Sequence, residues 1–119
     1  MPVVSVLALR PDDGAAIQRT LSAVVTGVAE ALAAPPEGTW AHFVVVDAVR
    51  QGDMAMGWRG HCPVVVVRGT PRNGTAVAAV LTAAATAVAD TLSVPLEDVW
   101  VQWVDVLPGQ VFAGGEVMQ

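Results

Sequence analysis

Two kinds of apolar periodicity alternate along this chain, and the alternation runs through the same order twice. Residues 3–9 are Val-rich and bounded by Arg10-Pro11-Asp12-Asp13-Gly14, which predicts a strand followed by a turn. Asp12 or Asp13 can accept a hydrogen bond from the free N–H groups at a helix start, where negative charge is also favoured. Ile17, Leu21, Val24, Val25, Val28 and Leu32 then recur at steps of three and four, the stripe of a helix reaching to about residue 34. Pro35-Pro36 stops that helix. A second strand is expected over 39–46. The pattern restarts with a strand over 63–67, the turn Thr70-Pro71-Arg72-Asn73-Gly74, and a helix carrying Val77, Leu81, Ala84, Val88 and Leu92. Pro95 closes it, and a last long strand is expected over 99–106.

The second run copies the first. Stripe residues 17, 21, 28 and 32 each have an apolar match 60 positions on, and so do Gly14, Pro35, Glu37 and Trp40 with their own residue types. Pro2 and Pro63 stand 61 apart, which places a one-residue deletion in the first loop of the second copy. The chain therefore reads as one domain, 1–119, with internal repeats 2–60 and 63–119. A helix joining two strands makes those strands parallel, with a right-handed crossover. Two such units predict an α+β fold, a four-stranded sheet with two helices on one face. The other face is covered by nothing in this chain. Segments 51–60 and 108–115 read as short hairpins after each second strand.

Composition sharpens this picture. Apolar residues make up 54% of the chain and the mean hydropathy is +0.55, a surplus that suits burial between subunits. A homo-oligomer is expected. The net charge is −5 and all six basic residues are arginine, which argues against nucleic acid as a partner. Gly, Pro, Asp or Arg interrupts the longest apolar stretches, so no membrane span is expected, and no basic segment precedes an apolar block as in a signal peptide. Cys62 is the single cysteine, which excludes an internal disulfide and fits a cytoplasmic location.

Particular residues carry a family resemblance. Met1-Pro2 opens a strand, Leu32-Ala33-Ala34-Pro35 ends a helix, and Phe112-Ala113-Gly114-Gly115-Glu116 forms a glycine-rich C-terminal hairpin. A second proline, Pro63, opens the second unit. Together these resemble the 4-oxalocrotonate tautomerase group, and two units in tandem resemble a fused member of the tautomerase superfamily. The resemblance implies a cofactor-independent enzyme, a trimer, and removal of Met1 to expose Pro2 as general base or nucleophile on a small carbonyl compound. Proton transfer beside a carbonyl would be the main reaction, with conjugate addition, hydration or hydrolytic dehalogenation as relatives.

Chemistry supports that role for Pro2. A free N-terminal amine has a pKa near 8, and apolar burial lowers it toward neutrality by disfavouring the charged form. A secondary amine can also form iminium intermediates with carbonyls. Pro63 can do neither, since its nitrogen is an amide, and the same holds for Pro2 while Met1 is attached. The resemblance also implies a loop arginine that grips a substrate carboxylate. Arg72 matches it once the deletion is allowed for, whereas the first unit has Asp12 there, with Arg10 two residues earlier. A guanidinium forks onto a carboxylate through two parallel bonds. Where the family has its other arginine this chain has Trp40 and Trp100, which favours a bulkier, less charged substrate than a dicarboxylate.

The remaining candidates are weaker. His42 and His61 do not make a metal site, and no metal or nucleotide motif is present. Asp47 and Asp105 read as caps or surface charges, and Cys62 has only His61 as a neighbouring base. Met54, Met56, Trp58 and Phe112 lie on the hairpins, to rim the site or clamp a neighbour. The order β-α-β-β-α-β also fits a ferredoxin-like ligand-binding or regulatory module. Strand order separates the two: the first strands of both units are central in either sheet, antiparallel in the tautomerase arrangement, but in the ferredoxin-like one each helix crosses to the other unit's strands.

Overall fold

The computed structural model describes residues 1–52, 54–56 and 62–119. The elements are β1 (Val3–Leu9), α1 (Ala15–Ala31), β2 (Trp40–Val46), β3 (Val49–Gln51), β4 (Met54–Met56), β5 (Val64–Gly69), α2 (Gly74–Leu92), β6 (Trp100–Asp105), β7 (Phe112–Ala113) and β8 (Glu116–Val117). Single 3-10 turns, Pro36–Gly38 and Leu96–Asp98, lead into β2 and β6.

β1, β2, β5 and β6 form one sheet in the order β2-β1-β5-β6. Each helix returns the chain to the strand beside the one it left, so β1 pairs parallel with β2 and β5 with β6. The central pair β1 and β5 is antiparallel, with Val3 opposite Arg68 and Leu7 opposite Val64. That order is the tautomerase arrangement and excludes the ferredoxin-like one. β3–β4 and β7–β8 are the two expected hairpins, each pairing only within itself. The first was expected to extend to residue 60. Its later part, with Trp58 and with His61 beyond it, lies outside the described residues.

Alternation along the strands divides the sheet cleanly. Val4, Val6, Val65 and Val67 are fully buried beneath the helices, together with Val24, Val28, Val80, Ala84 and Val88. The helix face is rotated from the expected stripe. Val24 and Val28 are buried as expected, but Ala16, Thr20 and Ala29 join them, while Ile17, Leu21, Val25 and Leu32 are only half-buried. Small residues face inward because the two helices touch. A Cβ on Gly27 would meet Ala83 at 3.5 Å, and the Thr20 and Thr91 hydroxyls share a hydrogen bond of 2.8 Å.

Local chemistry sets the helix ends. The Asn73 side chain accepts a hydrogen bond from the Ala76 N–H at 2.9 Å, capping α2. At α1, Asp13 accepts from the Ala15 N–H at 3.0 Å and pairs with Arg19 at 2.9 Å. Both helices close through a left-handed residue before a proline, Ala33 at φ 51° and Ser93 at φ 55°. With Asp90 as its single charge and a mean hydropathy of 1.6, α2 is long and apolar enough to cross a membrane by length and composition. In the fold it is a packed helix, with Val80, Ala84, Val88 and Ala89 buried.

Candidate functional site

The antiparallel pairing of β1 with β5 gives the sheet two unlike ends. At one end Pro2 enters β1 beside the start of β2 and the close of β5. The Trp40 N–H donates to the Pro2 carbonyl at 3.0 Å, Trp40 pairs with Val3, and Val3 pairs with Arg68. At the other end Pro63 enters β5 beside the start of β6. There the Trp100 N–H donates to the Pro63 carbonyl at 3.0 Å, and Val64 pairs with both Trp100 and Leu7. Four residues of strand, about 13 Å, separate the two ends along β1.

β6 runs parallel to β5 and therefore finishes at the Pro2 end. The Val106 N–H extends that ladder to the Gly69 carbonyl at 2.8 Å, and the chain then turns into the β7–β8 hairpin. Gly114 and Gly115, at φ 65° and 87°, make the two-residue turn that a side chain would strain. The Met118 N–H ties back to the Val111 carbonyl at 2.8 Å. The hairpin thus hangs over the end of the sheet and encloses a cavity of about 370 Å³.

The cavity is lined by Met1, Val3, Trp40, Arg68, Thr70 and Val106, with Val111, Phe112, Ala113, Gly114 and Met118 from the hairpin side. Its walls are mostly apolar, and Arg68 is the one charged side chain lining it among the described residues. That guanidinium donates to Ser5 Oγ at 3.3 Å and forms no salt bridge among the described residues. Met1 is exposed and stands at the cavity, and the Pro2 ring behind it is buried. Removal of Met1 would make the Pro2 nitrogen the new N-terminus, next to the cavity that Met1 lines.

The residues expected to form a site therefore separate. Pro2, Trp40 and Phe112 come together at one end. Trp100 lies at the other, its indole donating to Gln102 at 3.0 Å, and Arg10 follows the far end of β1. Arg72 is on the correct side, in the loop after β5, but it is exposed and does not line the cavity. Trp40 and Trp100 are 55% and 62% exposed, so neither is a core anchor of the single chain. His42 is exposed, on the sheet face away from the helices, and Cys62 is partly buried. No cluster of metal-ligating side chains occurs among the described residues.

The reading from sequence missed Arg68, because the strand was ended at residue 67. The signal was present. Extending the alternation Val64, Val66 by one step puts residue 68 on the uncovered face, where the matching position of the first unit is Leu7.

No family model and no curated protein matches the chain. Among solved structures, a wild-type fused 4-OT described as an asymmetric trimer is similar over 97% of this chain and 94% of that one, with a TM-score of 0.87 at 16% identity. Pt0534 inactivated by 2-oxo-3-pentynoate aligns over 98% of this chain and 94% of its own, with a TM-score of 0.84 at 15% identity. Macrophage migration inhibitory factor of Toxoplasma gondii aligns over 98% and 99%, with a TM-score of 0.76 at 15% identity. Over nearly its whole length the chain has the tautomerase-like fold that fused 4-OT and macrophage migration inhibitory factor display.

Proposed function

We propose that this protein is a cofactor-independent isomerase in which the Pro2 amine, freed by loss of Met1, moves a proton beside the carbonyl of a mono-anionic substrate. The observation that carries this reading is the cavity at the Pro2 end, with the Arg68 guanidinium in a mostly apolar wall. Arg68 holds the substrate carboxylate in two-point fashion. Trp40 and Phe112 flank an aromatic or alkyl body. In ketonisation of an arylpyruvate enol, the Pro2 nitrogen takes the enol hydroxyl proton and a proton is returned to the adjacent carbon, so the enzyme ends as it began. The single cation explains the preference for a monocarboxylate. On this reading Arg68, rather than Arg72 or Arg10, supplies that grip.

The fold likeness to a protein inactivated by 2-oxo-3-pentynoate supplies the experiment. The acetylenic 2-oxo acid should add once per chain, on the Pro2 peptide, and abolish ketonisation, with phenylpyruvate protecting against it. Adducts elsewhere, with activity retained, would overturn the assignment of Pro2. The trimer described for the fused 4-OT structure supports a trimer here, assembled through the uncovered sheet face. A cytoplasmic location belongs to the same proposal.

A further inference from the structure

Thr39 is 6% exposed, and its hydroxyl is buried with no hydrogen-bond partner among the described residues. Burying a hydroxyl without a partner is unfavourable, so its presence there asks for a reason. The register supplies one. Val3 pairs with Trp40, and the Trp40 N–H bonds the Pro2 carbonyl, so one step back along the ladder Thr39 stands opposite Pro2. Both residues lie on the buried, helix-facing side of the sheet.

The second unit acts as an internal control. Pro63 enters β5 as Pro2 enters β1, with the same bond from the Trp100 N–H, and the residue opposite Pro63 is Val99. The nitrogen of Pro63 is always an amide and can never donate. A threonine thus stands opposite the proline that can become an amine, and a valine stands opposite the one that cannot.

We infer that the Thr39 hydroxyl is a positioning group for Pro2, accepting one N–H of the ammonium that forms once Met1 is gone. This rests on the reading of Pro2 as a free amine. A protonated proline carries two N–H bonds. Thr39 holds one, which leaves the other, the proton in transit, directed at the cavity. Accepting from the ammonium favours the charged form and so raises the Pro2 pKa against the lowering caused by burial. Among the described residues, the charged groups on the surrounding elements are Arg68 at the cavity, Glu37 in the turn before Thr39, Glu30 near the end of α1, Arg72 in the loop after β5 and Glu116 on the hairpin. Substitution at Thr39 leaves all five in place.

The test is the Pro2 pKa, followed by the proline 15N shift against pH in the processed chain, a readout that needs no turnover. Thr39→Val keeps the side-chain shape and should lower the pKa by about one unit, as loss of a hydrogen bond to a charged group implies. Thr39→Ser should restore it. Thr39→Val should also shift the rising limb of the pH–rate profile downward by the same amount. If Pro2 titrates as an amine and its pKa is the same in wild type and Thr39→Val, the inference is overturned, and the backbone rather than Thr39 holds the ammonium. Retention of Met1 in the native protein would overturn both this inference and the reading it rests on.

Discussion

Arg68 and Leu7 occupy matching places in the two units, and this one difference makes the two ends of the sheet chemically unlike. A guanidinium stands at the Pro2 end, while the Pro63 end has a leucine at the corresponding position. Arg68→Ala should raise KM for an arylpyruvate enol about 10- to 100-fold, the worth of a charge-assisted carboxylate contact, while leaving the unfolding midpoint unchanged. Steady-state kinetics beside urea denaturation would check it, and an equal loss on a neutral enone would contradict the carboxylate role. A second contrast lies beneath the helices. Gly69 and Trp103 replace the Ala8 and Phe43 of the first unit, a smaller residue beside a larger ring. A Cβ on Gly69 would lie 2.8 Å from the Trp103 ring, so Gly69→Ala should cost about 1–3 kcal/mol in chemical denaturation. Pro2, Trp40 and Phe112 were legible in the sequence because each belongs to a local pattern. Their company was not, since proximity to Arg68 depends on which strand of the second unit lies against β1.

Element by element, the sequence was a good guide wherever punctuation is strong. The proline pairs, the loop turns and the two stripes located both helices and all four sheet strands to within a few residues. What they could not settle was which flank of each helix faces inward, because apolar residues occupy more than one flank and a contact between helices selects the small ones. Asn73→Ala should cost α2 about 1 kcal/mol through loss of its cap. Ala33→Gly should stabilise by about 0.5–1 kcal/mol, since Ala33 is exposed and its left-handed backbone suits glycine. Both are read from denaturation midpoints. Asp13 behaves differently with pH. Its hydrogen bond from Arg19, then that from the Ala15 N–H, holds its carboxyl below the ordinary value of 3.8. Its contribution is therefore present above that value and lost as pH falls through the lower folded one. The stability gap between wild type and Asp13→Asn should close under acid and persist at neutral pH.

On the scale of the whole molecule, the uncovered sheet face is the dominant feature. Trp40, Val3, Leu7, Val44, Val64, Val66, Val104 and Trp100 share it, with Arg68 among them, and among the described residues no helix or further strand covers it. The apolar surplus visible in the composition is thereby given a location. Under the proposed trimer this face meets neighbouring subunits, and Val66→Asp at its centre should release monomers. Sedimentation equilibrium at micromolar concentration would show a stable wild-type trimer, whereas a wild-type monomer would contradict the assembly. The repeat pattern already implied a sheet face left uncovered, and the topology identifies the residues on it.

The central claim is that Pro2 works as a free amine, and the most direct measurement is intact mass joined to a pH–rate profile on one natively processed sample. The account predicts a mass lacking Met1, with enol ketonisation rising through an apparent pKa below about 8, the ordinary value for a terminal amine. Full activity from a chain that still carries Met1 would contradict it.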